Sequence, residues 1–419
     1  MNAMSSVLPV APEKSAESSA LDRVRHLEDQ YLLQNYARYP LMLDRGKGCY
    51  VYDPQGKRYL DFITGIGVNA LGHAHPRLVK ALRDQAARLW HTSNLYYHAY
   101  QGPLAERLAK ASGLERTFFC NSGAECLEGA LKMVRGHGHR VNPEKYEIVA
   151  LHNSFHGRTL GALSITGQEK YRRDFEPLLP GARFVQPNDE VALEQVVNDR
   201  TAGIVLEWIQ GEGGIFPMSL EYVRKARQLA DRYDALLVFD EIQCGVGRTG
   251  KHFAYQQSDP VIMPDIMTAA KPLACGIPMG VIVTNQRAAE SIGSGMHGST
   301  FGGGPIACRV ALEFMDILDE LLPHIEKMGF YFRAGLEELQ KQFSFIREVR
   351  GQGLMIGVDL AFSGKQLVLD AMQQGLLMNC THDTVLRFLP PYIVTEKEID
   401  RALGILKRLF KKAPKQQTH

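Results

Sequence analysis

Short apolar runs alternate with amphipathic stretches through the middle of this 419-residue chain. A run that is apolar throughout is what a parallel β-sheet covered on both faces requires, because neither side of such a strand meets water. Between two of the runs, residues 219–234 place apolar side chains on one helical face behind Ser219, a residue type that caps helix N-termini. The pattern predicts a doubly wound α/β domain. The runs read as strands are 117–120, 146–151, 202–207, 235–240, 265–270 and 280–284.

The two ends of the chain read differently from its middle. Residues 48–62 predict a hairpin that turns at residues 53–56, and a long helical pattern after residue 305 precedes apolar strands near 354–360 and 385–391. We therefore expect a second, smaller α+β domain built from both chain ends. The expected division is a disordered arm (1–20), the small domain (21–75 and 305–419) and a large domain (76–304).

Composition excludes several classes of partner and site. A formal net charge of +2 gives no reason to expect nucleic acid or an anionic membrane, and no apolar run approaches the roughly 18 residues that span a bilayer. Seven scattered cysteines without a C-x-x-C pair predict reduced thiols in a cytoplasmic protein. Two H-x-H pairs, at residues 73 and 75 and at residues 137 and 139, lack further ligand types nearby, so no metal site is expected.

The spacing G-x-G-x-x-G occurs at Gly245, Gly247 and Gly250, after the apolar run that ends at Asp240. In a dinucleotide-binding fingerprint the glycines follow the strand directly and begin a helix, which holds the pyrophosphate. Here residues 240–244 intervene, and the segment that follows makes a poor helix. The glycines are therefore interpreted as residues that let a loop turn tightly.

Asp240 and Lys271 each follow a predicted buried strand. The carboxyl ends of strands in an open α/β sheet face the ligand crevice, and a lysine is rarely buried without a partner or a role. An aspartate and a lysine at one crevice are what pyridoxal phosphate needs: the lysine forms a Schiff base with the aldehyde, and the carboxylate keeps the pyridine nitrogen protonated. An anion site is predicted at Ser122, Gly123 and Ala124, where a strand leads into a helix.

From about residue 35 to 405 the chain resembles the class III (ω-amino) pyridoxal-phosphate-dependent aminotransferases. The family segment D-E-[IV]-Q-x-G-x-G-R-T-G stands at residues 240–250, and the lysine of the following strand stands at Lys271. The resemblance implies pyridoxal-phosphate fold type I, with a mostly parallel, doubly wound large domain. Among the chain's departures from the family pattern are Trp208, which replaces a proline, and Gly304, which replaces an asparagine.

Carried over by position, the resemblance implies roles around the cofactor ring. Asp240 pairs with the pyridinium nitrogen, Gln243 bonds to the ring hydroxyl, and Lys271 is the Schiff-base lysine and the base that moves the substrate proton. Phe155 stacks on one face of the ring, and Ile242 lies on the other.

The resemblance also implies how the phosphate is held. Ser122, Gly123 and Ala124 form the phosphate cradle. Thr300 reaches the phosphate of the neighbouring subunit's cofactor, which implies an obligate homodimer with composite active sites.

Substrate recognition is assigned to five further positions by the same resemblance. Arg158 and Arg387 bind carboxylates, and Glu212 pairs with Arg387 in a bridge that opens for the distal carboxylate of 2-oxoglutarate. Tyr36 lies near the substrate carboxylate, and the aliphatic Ile66 leaves room for an acylated α-amine. Surface ion pairing for the two arginines, and a plain loop carboxylate for Glu212, are the alternatives that the residues alone leave open.

Among the subfamilies the likeness is to the acetylornithine aminotransferases. It implies transfer of the terminal amino group of N2-acetyl-L-ornithine to 2-oxoglutarate, giving N-acetylglutamate semialdehyde and glutamate, in arginine biosynthesis. Other ω-aminotransferases, acting on ornithine, 4-aminobutyrate, putrescine or succinylornithine, remain the main alternative. A glutamate-semialdehyde-type aminomutase is disfavoured by Arg387, and a non-catalytic binding protein by Lys271.

Overall fold

The computed structural model describes residues 20–413. These residues form two compact units, a smaller one with the residues up to Arg45 and Tyr52–Lys57, and a larger one with Gly46–Val51 and the chain from Arg58 onward. The predicted N-terminal arm lies outside the described residues except for Ala20, where the first helix begins. The predicted boundaries at residues 75 and 304 remain predictions.

The strands are numbered in chain order. They are β1 (Arg45–Lys47), β2 (Tyr50–Tyr52), β3 (Arg58–Asp61), β4 (Arg116–Cys120), β5 (Glu147–Leu151), β6 (Ala182–Val185), β7 (Thr201–Leu206), β8 (Ile209–Gln210), β9 (Phe216–Pro217), β10 (Leu236–Asp240), β11 (Ile266–Ala269), β12 (Gly280–Thr284), β13 (Ile346–Gln352), β14 (Met355–Leu360), β15 (Leu376–Leu377), β16 (Asn379–Thr381) and β17 (Val385–Phe388).

The α-helices are numbered in the same way, and two 3₁₀ turns lie at Arg173–Phe175 and Ala254–Gln257. The helices are α1 (Ala20–Tyr31), α2 (Thr64–Gly67), α3 (Pro76–Ala86), α4 (Gln101–Ser112), α5 (Gly123–Val141), α6 (Leu160–Ser164), α7 (Glu169–Arg172), α8 (Glu190–Val196), α9 (Leu220–Arg232), α10 (Gln286–Ala289), α11 (Pro305–Gln342), α12 (Lys365–Gln373) and α13 (Glu396–Lys412). Among these described helices, none is long and apolar enough to cross a membrane.

The large sheet of the larger unit has the strand order β4-β12-β11-β10-β7-β5-β6. Strand β10 pairs in parallel with β11 and β7, and β5 pairs in parallel with β7 and β6, whereas β12 is antiparallel to both of its neighbours. Strands β5, β7, β10, β11 and β12 are buried along their whole length, as their apolar sequences predict. The mostly parallel, doubly wound sheet is confirmed.

One strand of this sheet, β6, was not predicted. It lies at the sheet edge and is only partly buried, with Arg183 exposed and Phe184 half-buried. An edge strand covered on fewer sides needs no continuous apolar run, and so it carries no clear sequence signal.

The direction of the strands decides where the polar residues meet. Because β12 is antiparallel to both β4 and β11, β4 runs in the same direction as the parallel strands. The carboxyl ends of β4, β5, β7, β10 and β11 therefore lie at one edge of the sheet. The residues that follow these five strands are delivered to the same crevice.

Two helices on the sheet begin as the sequence indicates. Helix α9 is capped by Ser219, whose Oγ accepts a hydrogen bond from the Tyr222 N–H at 3.1 Å. Helix α5 is capped by Ser122, whose Oγ accepts from the Glu125 N–H at 3.2 Å. Helix α5 packs a buried face, which includes Leu127, Leu131 and Val134, against the large sheet.

A second sheet, with the order β13-β14-β17-β16, is formed by the C-terminal part of the chain. The 38-residue helix α11 leads into it from the large sheet. Strand β17 is central and buried, paired antiparallel to β14 on one side and to β16 on the other. Further along, β15 pairs in parallel with β3 from the N-terminal part of the larger unit. This pairing joins segments from the two ends of the sequence.

The smaller unit contains helix α1 and the predicted turn. At the turn the Gly56 N–H donates to the Asp53 carbonyl at 2.9 Å, and Gly56 has φ +83°, which favours glycine. The Arg45 guanidinium carbon lies 3.8 Å from the centre of the Tyr52 ring, a cation–π contact.

Candidate active site

A cavity of about 380 Å³ opens at the carboxyl edge of the large sheet. It is lined by residues that follow five strands, so segments distant in sequence share one wall. Its lining residues are Val68, Asn121, Ser122, Gly123, Ala124, Phe155, His156, Gly157, Arg158, Glu207, Glu212, Asp240, Ile242, Gln243, Ala270, Lys271, Gly276, Ile277, Pro278 and Met279. Ten of the residues predicted for the site are among them.

The Asp240 carboxylate is buried and held through both oxygens. Its Oδ2 accepts a hydrogen bond from His156 Nδ1 at 2.7 Å. Its Oδ1 accepts from the Ile242 N–H at 3.1 Å and from Thr268 Oγ1 at 3.4 Å. The side chain is 3 % exposed. Its orientation in the cavity is therefore fixed before any ligand binds.

His156 lies wholly inside the protein beside this carboxylate. Burial alone would lower the pKa of the imidazole, but the hydrogen bond and charge of Asp240 and the charge of Glu207 outweigh it, so the pKa of His156 is raised. Its second ring nitrogen, Nε2, is buried without a hydrogen-bond partner. Burying an imidazole in this way is costly unless its contact with Asp240 compensates.

Lys271 follows β11 and is half-buried. Burial lowers the pKa of its ammonium group, and the negative charges of Glu212 and Asp240 oppose that shift only in part. A lysine with a lowered pKa is a neutral amine in a larger fraction of molecules. That is the form that attacks a carbonyl carbon and accepts a proton.

The turn between β4 and α5 forms a cradle of backbone N–H groups. Helix α5 is 19 residues long and begins at Gly123, so its N-terminus carries the partial positive charge that attracts anions. A Cβ atom on Gly123 would lie 2.7 Å from Ile242 Cδ1, which shows how closely this turn approaches the Asp240 loop. The turn is braced by Asn121, whose N–H and Nδ2 both donate to Glu125 Oε2 at 2.9 Å.

Arg387 and Glu212 form an ion pair at the inner end of the site, with 2.5 Å between Nη1 and Oε1. The Arg387 side chain is 1 % exposed and that of Glu212 is 24 % exposed. Burial alone would raise the pKa of Glu212. The charge and hydrogen bond of Arg387 lower it by more than burial raises it, so the pKa of Glu212 lies below its ordinary value. Arg387 Nη1 also donates to Gln243 Oε1 at 3.0 Å, which joins the pair to a cavity-lining residue.

The aromatic wall is formed around Phe155. Its N–H donates to Glu207 Oε1 at 3.0 Å, and its ring meets that of Tyr171 edge to face, with 6.0 Å between centroids. The exposed Arg158 stacks its guanidinium on Tyr171, with Cζ 4.2 Å from the ring centroid. Arg158 thus lines the cavity with its guanidinium in a cation–π contact.

Four predicted site residues do not line the cavity. Arg387 contacts it through Glu212 and Gln243. Ile66 is 40 % exposed and lies in the left-handed region at φ +63°, an uncommon conformation for a β-branched residue. Thr300 is exposed, as expected of a residue assigned to another subunit's site. Tyr36 is 70 % exposed and belongs to the smaller unit.

Two buried residues of the site, His156 and Glu207, were not predicted. Glu207 accepts hydrogen bonds from the N–H groups of Phe155 and Gly211 at 3.0 and 2.9 Å, and burial raises its pKa to about 7. Glu207 follows β7 directly, so it lies at the same carboxyl edge of the sheet as Asp240 and could have been predicted from its place after a buried strand. His156 lies within the segment that supplied Phe155 and Arg158, but no local signal separates it from other loop histidines.

Trp208 and Gly304, which depart from the family pattern, have different structural settings. Trp208 is buried and packs edge-on against Phe239, with 5.7 Å between ring centroids, so it supports the strand that ends at Asp240. Gly304 is the N-cap of α11 with φ −62°, which needs no glycine, and nothing in the structure explains its replacement of asparagine.

Solved structures of similar proteins have the same fold. An ornithine aminotransferase from Toxoplasma gondii superposes with a TM-score of 0.90 at 32 % identity, covering 94 % of this chain and 96 % of that one. An N-acetylornithine aminotransferase from Stenotrophomonas maltophilia superposes with a TM-score of 0.79 at 37 % identity, covering 92 % and 98 %. The predicted pyridoxal-phosphate fold type I is confirmed.

Sequence comparison gives the same result over nearly the whole chain. The acetylornithine aminotransferase of Methanocaldococcus jannaschii is 48 % identical over 388 residues, covering 92 % of this chain and 97 % of that protein. The family model described as "Aminotransferase class-III" matches residues 31–410. With this match and with the lysine, aspartate and helix N-terminus at one sheet edge, the chain belongs to the class-III aminotransferases.

Proposed function

We propose that this protein transfers the terminal amino group of N2-acetyl-L-ornithine to 2-oxoglutarate, giving N-acetylglutamate semialdehyde and glutamate in arginine biosynthesis. The name of the M. jannaschii relative, at 48 % identity, supports the acylated donor. The observation that carries the reaction type is the ion pair between the buried Arg387 and Glu212, beside a cavity that holds Lys271 and Asp240. The amino donor has an uncharged acylated end, whereas the acceptor is a dicarboxylate. One site must therefore present a cation to the acceptor's distal carboxylate and hide that cation while the donor is bound.

The cofactor is pyridoxal 5′-phosphate, and the residues present fit it. Ser122, Gly123 and Ala124 would hold the phosphate at the N-terminus of α5, where a side chain on Gly123 would clash with Ile242. Phe155 and Ile242 would bracket the ring, and Asp240 would meet its nitrogen. When bound, the cofactor supplies an electron sink for the charge that develops at the substrate carbon.

The side chains of the site then act on the proton and on the charge. Asp240 is held by His156 and by the Ile242 N–H, and its carboxylate would keep a proton on the pyridine nitrogen of the cofactor. Lys271 would hold the cofactor at its aldehyde carbon, and its neutral amine would move the proton from the substrate carbon that bears the amino group to that cofactor carbon. Burial, which lowers the pKa of Lys271, favours the neutral amine that both tasks need.

The ion pair selects the substrate for each half-reaction. With Glu212 bound, the charge of Arg387 is compensated, so an uncharged acylated donor meets no free cation. When 2-oxoglutarate or glutamate binds, its distal carboxylate replaces Glu212 on Arg387. Arg158 binds the carboxylate at the other end, and Tyr36 and Ile66 contribute to donor recognition in this proposal.

We further propose that the protein acts as a cytoplasmic homodimer with active sites completed by the partner. Large apolar side chains are strongly exposed between residues 89 and 97, including Trp90 (68 %), Leu95 (84 %) and Tyr97 (105 %). We call residues 89–97 the aromatic patch. Asn94 Nδ2 donates to the carbonyls of Ser299 and Gly302, so the patch adjoins the loop that carries Thr300. Exposed apolar area of this kind marks an interaction surface.

The half-reactions of the purified holoenzyme test the proposed function. Separate portions receive N-acetylornithine, ornithine, 4-aminobutyrate or glutamate, and the single-turnover change in the visible absorption of the bound cofactor is followed. Fast turnover with N-acetylornithine and glutamate and slow turnover with the others is expected. Preference for free ornithine or 4-aminobutyrate would contradict the donor assignment and place the enzyme with another ω-aminotransferase.

The Arg387→Ala variant tests the substrate switch in the same assay. We expect it to weaken glutamate and 2-oxoglutarate by roughly 100-fold, because a charge-assisted bidentate pair is lost, and to weaken N-acetylornithine far less. Equal losses for both substrates would mean that Arg387 is structural and not the dicarboxylate site.

A further inference from the structure

Three acceptors surround the buried guanidinium of Arg387. Its Nε donates to Asn379 Oδ1 at 3.1 Å, and its Nη1 donates to Glu212 Oε1 at 2.5 Å and to Gln243 Oε1 at 3.0 Å. Because the Arg387 side chain is only 1 % exposed, little water is available to replace a lost partner. The three acceptors differ in how freely they can leave.

Asn379 is fixed by the sheet. Asn379 on β16 and Arg387 on β17 are directly opposite partners in an antiparallel pair, so their side chains lie on the same face. Arg387 is also opposite Gly357 on β14, so the backbone of β17 is held from both sides. The backbone ladder thus sets the position of the Asn379 amide relative to the guanidinium.

Glu212 is not fixed in this way. It lies in a segment with glycines at 211, 213 and 214, and Gly214 has φ +99°. Its backbone carbonyl accepts from Thr381 Oγ1 at 2.9 Å, but its carboxylate is partly exposed and is held through its side-chain contacts with Arg387 and Gln243. Rotation of its side chain alone can withdraw the carboxylate from Arg387.

We infer that Asn379 is a positioning residue for the second substrate. It holds the Arg387 guanidinium in one orientation whether or not Glu212 is bound, so that only Glu212 moves when a dicarboxylate enters. This inference rests on the proposed function, because it assumes that Arg387 receives the distal carboxylate of 2-oxoglutarate. Asn379 acts through Arg387 and does not itself contact the reacting atoms.

The chemistry of a neutral amide suits this task. The Asn379 oxygen accepts the Nε–H without adding charge, which leaves the positive charge of Arg387 for Glu212 or for the substrate. An aliphatic side chain at 379 would leave a buried Nε–H unpaired, and the guanidinium could then rotate. A carboxylate at 379 would place a second anion beside Glu212 and would compete with the incoming carboxylate.

Two substitutions of Asn379 separate these effects, and Cys380→Ala is the matched control. Cys380 is the next residue of β16, so its side chain lies on the opposite face of the strand from that of Asn379, and its Sγ contacts the Asp383 carbonyl. Each holoenzyme is titrated with N-acetylornithine and with 2-oxoglutarate in separate half-reactions. We expect Asn379→Ala to raise the half-saturating 2-oxoglutarate concentration roughly tenfold and Asn379→Asp to raise it more, with a far smaller effect on N-acetylornithine. Cys380→Ala should change neither.

The results that overturn the inference are specific. Equal effects on both substrates, or no effect of either variant on 2-oxoglutarate, would mean that Asn379 is only a structural strand residue. Asn379→Asp is isosteric, so it keeps the test informative even if Asn379→Ala weakens the strand.

A double variant tests the role of Asn379, and the Arg387→Ala variant tests the proposed function separately. In the double variant Glu212→Gln/Asn379→Ala, the Asn379 change should still raise the half-saturating 2-oxoglutarate concentration, because Asn379 orients the Arg387 guanidinium whether or not Glu212 is bound. If the Asn379 change no longer had this effect, the inference would be overturned. Loss of 2-oxoglutarate selectivity in Arg387→Ala supports the proposed function independently. Its absence would overturn that function, whatever the Asn379 variants do.

Discussion

Single residues acquire their roles here from the strand that they follow. Asp240 ends β10 and Lys271 follows β11, and since parallel strands end at one sheet edge, their meeting could be predicted from the sequence. The contact between His156 and Asp240 could not, because the two residues are 84 positions apart and a histidine in a loop has no pattern that names its partner. The Asn379–Arg387 contact depends on the register between two short neighbouring strands, and their sequences do not specify that register by themselves.

Removing the His156 hydrogen bond should weaken the cofactor site. In His156→Phe the Asp240 carboxylate loses its shortest contact, and a hydrogen bond to a charged group is worth about 1.5–3 kcal/mol. We expect cofactor affinity and turnover to fall by roughly 10- to 100-fold, measured by equilibrium dialysis and steady-state kinetics. His156→Gln, which keeps a donor, should recover part of the loss; an unchanged affinity in both variants would contradict a positioning role.

The same pair predicts a pH dependence of stability. Since the pKa of His156 is raised in the folded state, its stabilising contribution is complete below the unfolded-state pKa of about 6.5 and is lost as pH rises through the folded-state pKa. The free energy of unfolding of the wild type, minus that of His156→Phe, should therefore decrease as pH rises above 6.5. Urea titrations at several pH values measure it, and a difference that grows with pH would contradict the direction of the shift.

At the scale of elements, the sheet was predictable and the loops at its edge were only partly so. Fully buried strands appear in the sequence as continuous apolar runs, whereas the partly buried edge strand β6 has no such run. The glycines of residues 245–250 were interpreted correctly as loop glycines: Gly247 and Gly250 have φ +92° and +93°. The left-handed backbone of α2 at Thr64–Gly67 had no sequence signal, because threonine and isoleucine rarely adopt positive φ and only tertiary contacts hold them there.

The turn into α5 provides a test of the phosphate cradle. In Gly123→Ala the new Cβ would lie 2.7 Å from Ile242 Cδ1, so Ile242 or the turn must shift. We expect a roughly tenfold or greater loss of cofactor affinity. Gly102→Ala in helix α4 is the control, because its Cβ meets nothing within 4 Å. Equal affinity of the two variants for pyridoxal phosphate would show that the cofactor does not depend on this turn.

For the whole molecule, the proposed homodimer would complete the site with Thr300 of the partner subunit. Thr300 and the neighbouring Phe301 are exposed. The Thr300 loop is attached to the aromatic patch through Asn94, and to the residue that follows the patch through His98 Nε2, which donates to the Gly303 carbonyl at 2.7 Å. The sequence indicates such a partner only by resemblance. No pattern within a single chain identifies the surface that a second copy of that chain would cover.

A charge within the aromatic patch should therefore disrupt both assembly and cofactor binding. In Tyr97→Asp a fully exposed aromatic side chain is replaced by a carboxylate that cannot be buried cheaply against a partner. Sedimentation velocity should show a shift from dimer to monomer, and cofactor retention on gel filtration should fall with it. Phe330→Asp, a change at another exposed aromatic residue (77 %), should alter neither; a dimer unaffected by Tyr97→Asp would place the interface elsewhere.

The central claim is that Lys271 binds the cofactor covalently beside Asp240. The most direct measurement is reduction of the holoenzyme with borohydride, which fixes the cofactor to its lysine, followed by peptide mass mapping. We predict the cofactor's mass on the peptide that contains Lys271, and no labelled peptide from a Lys271→Ala variant that still folds. A label on another lysine in the wild-type protein, or none at all, would contradict the site described here.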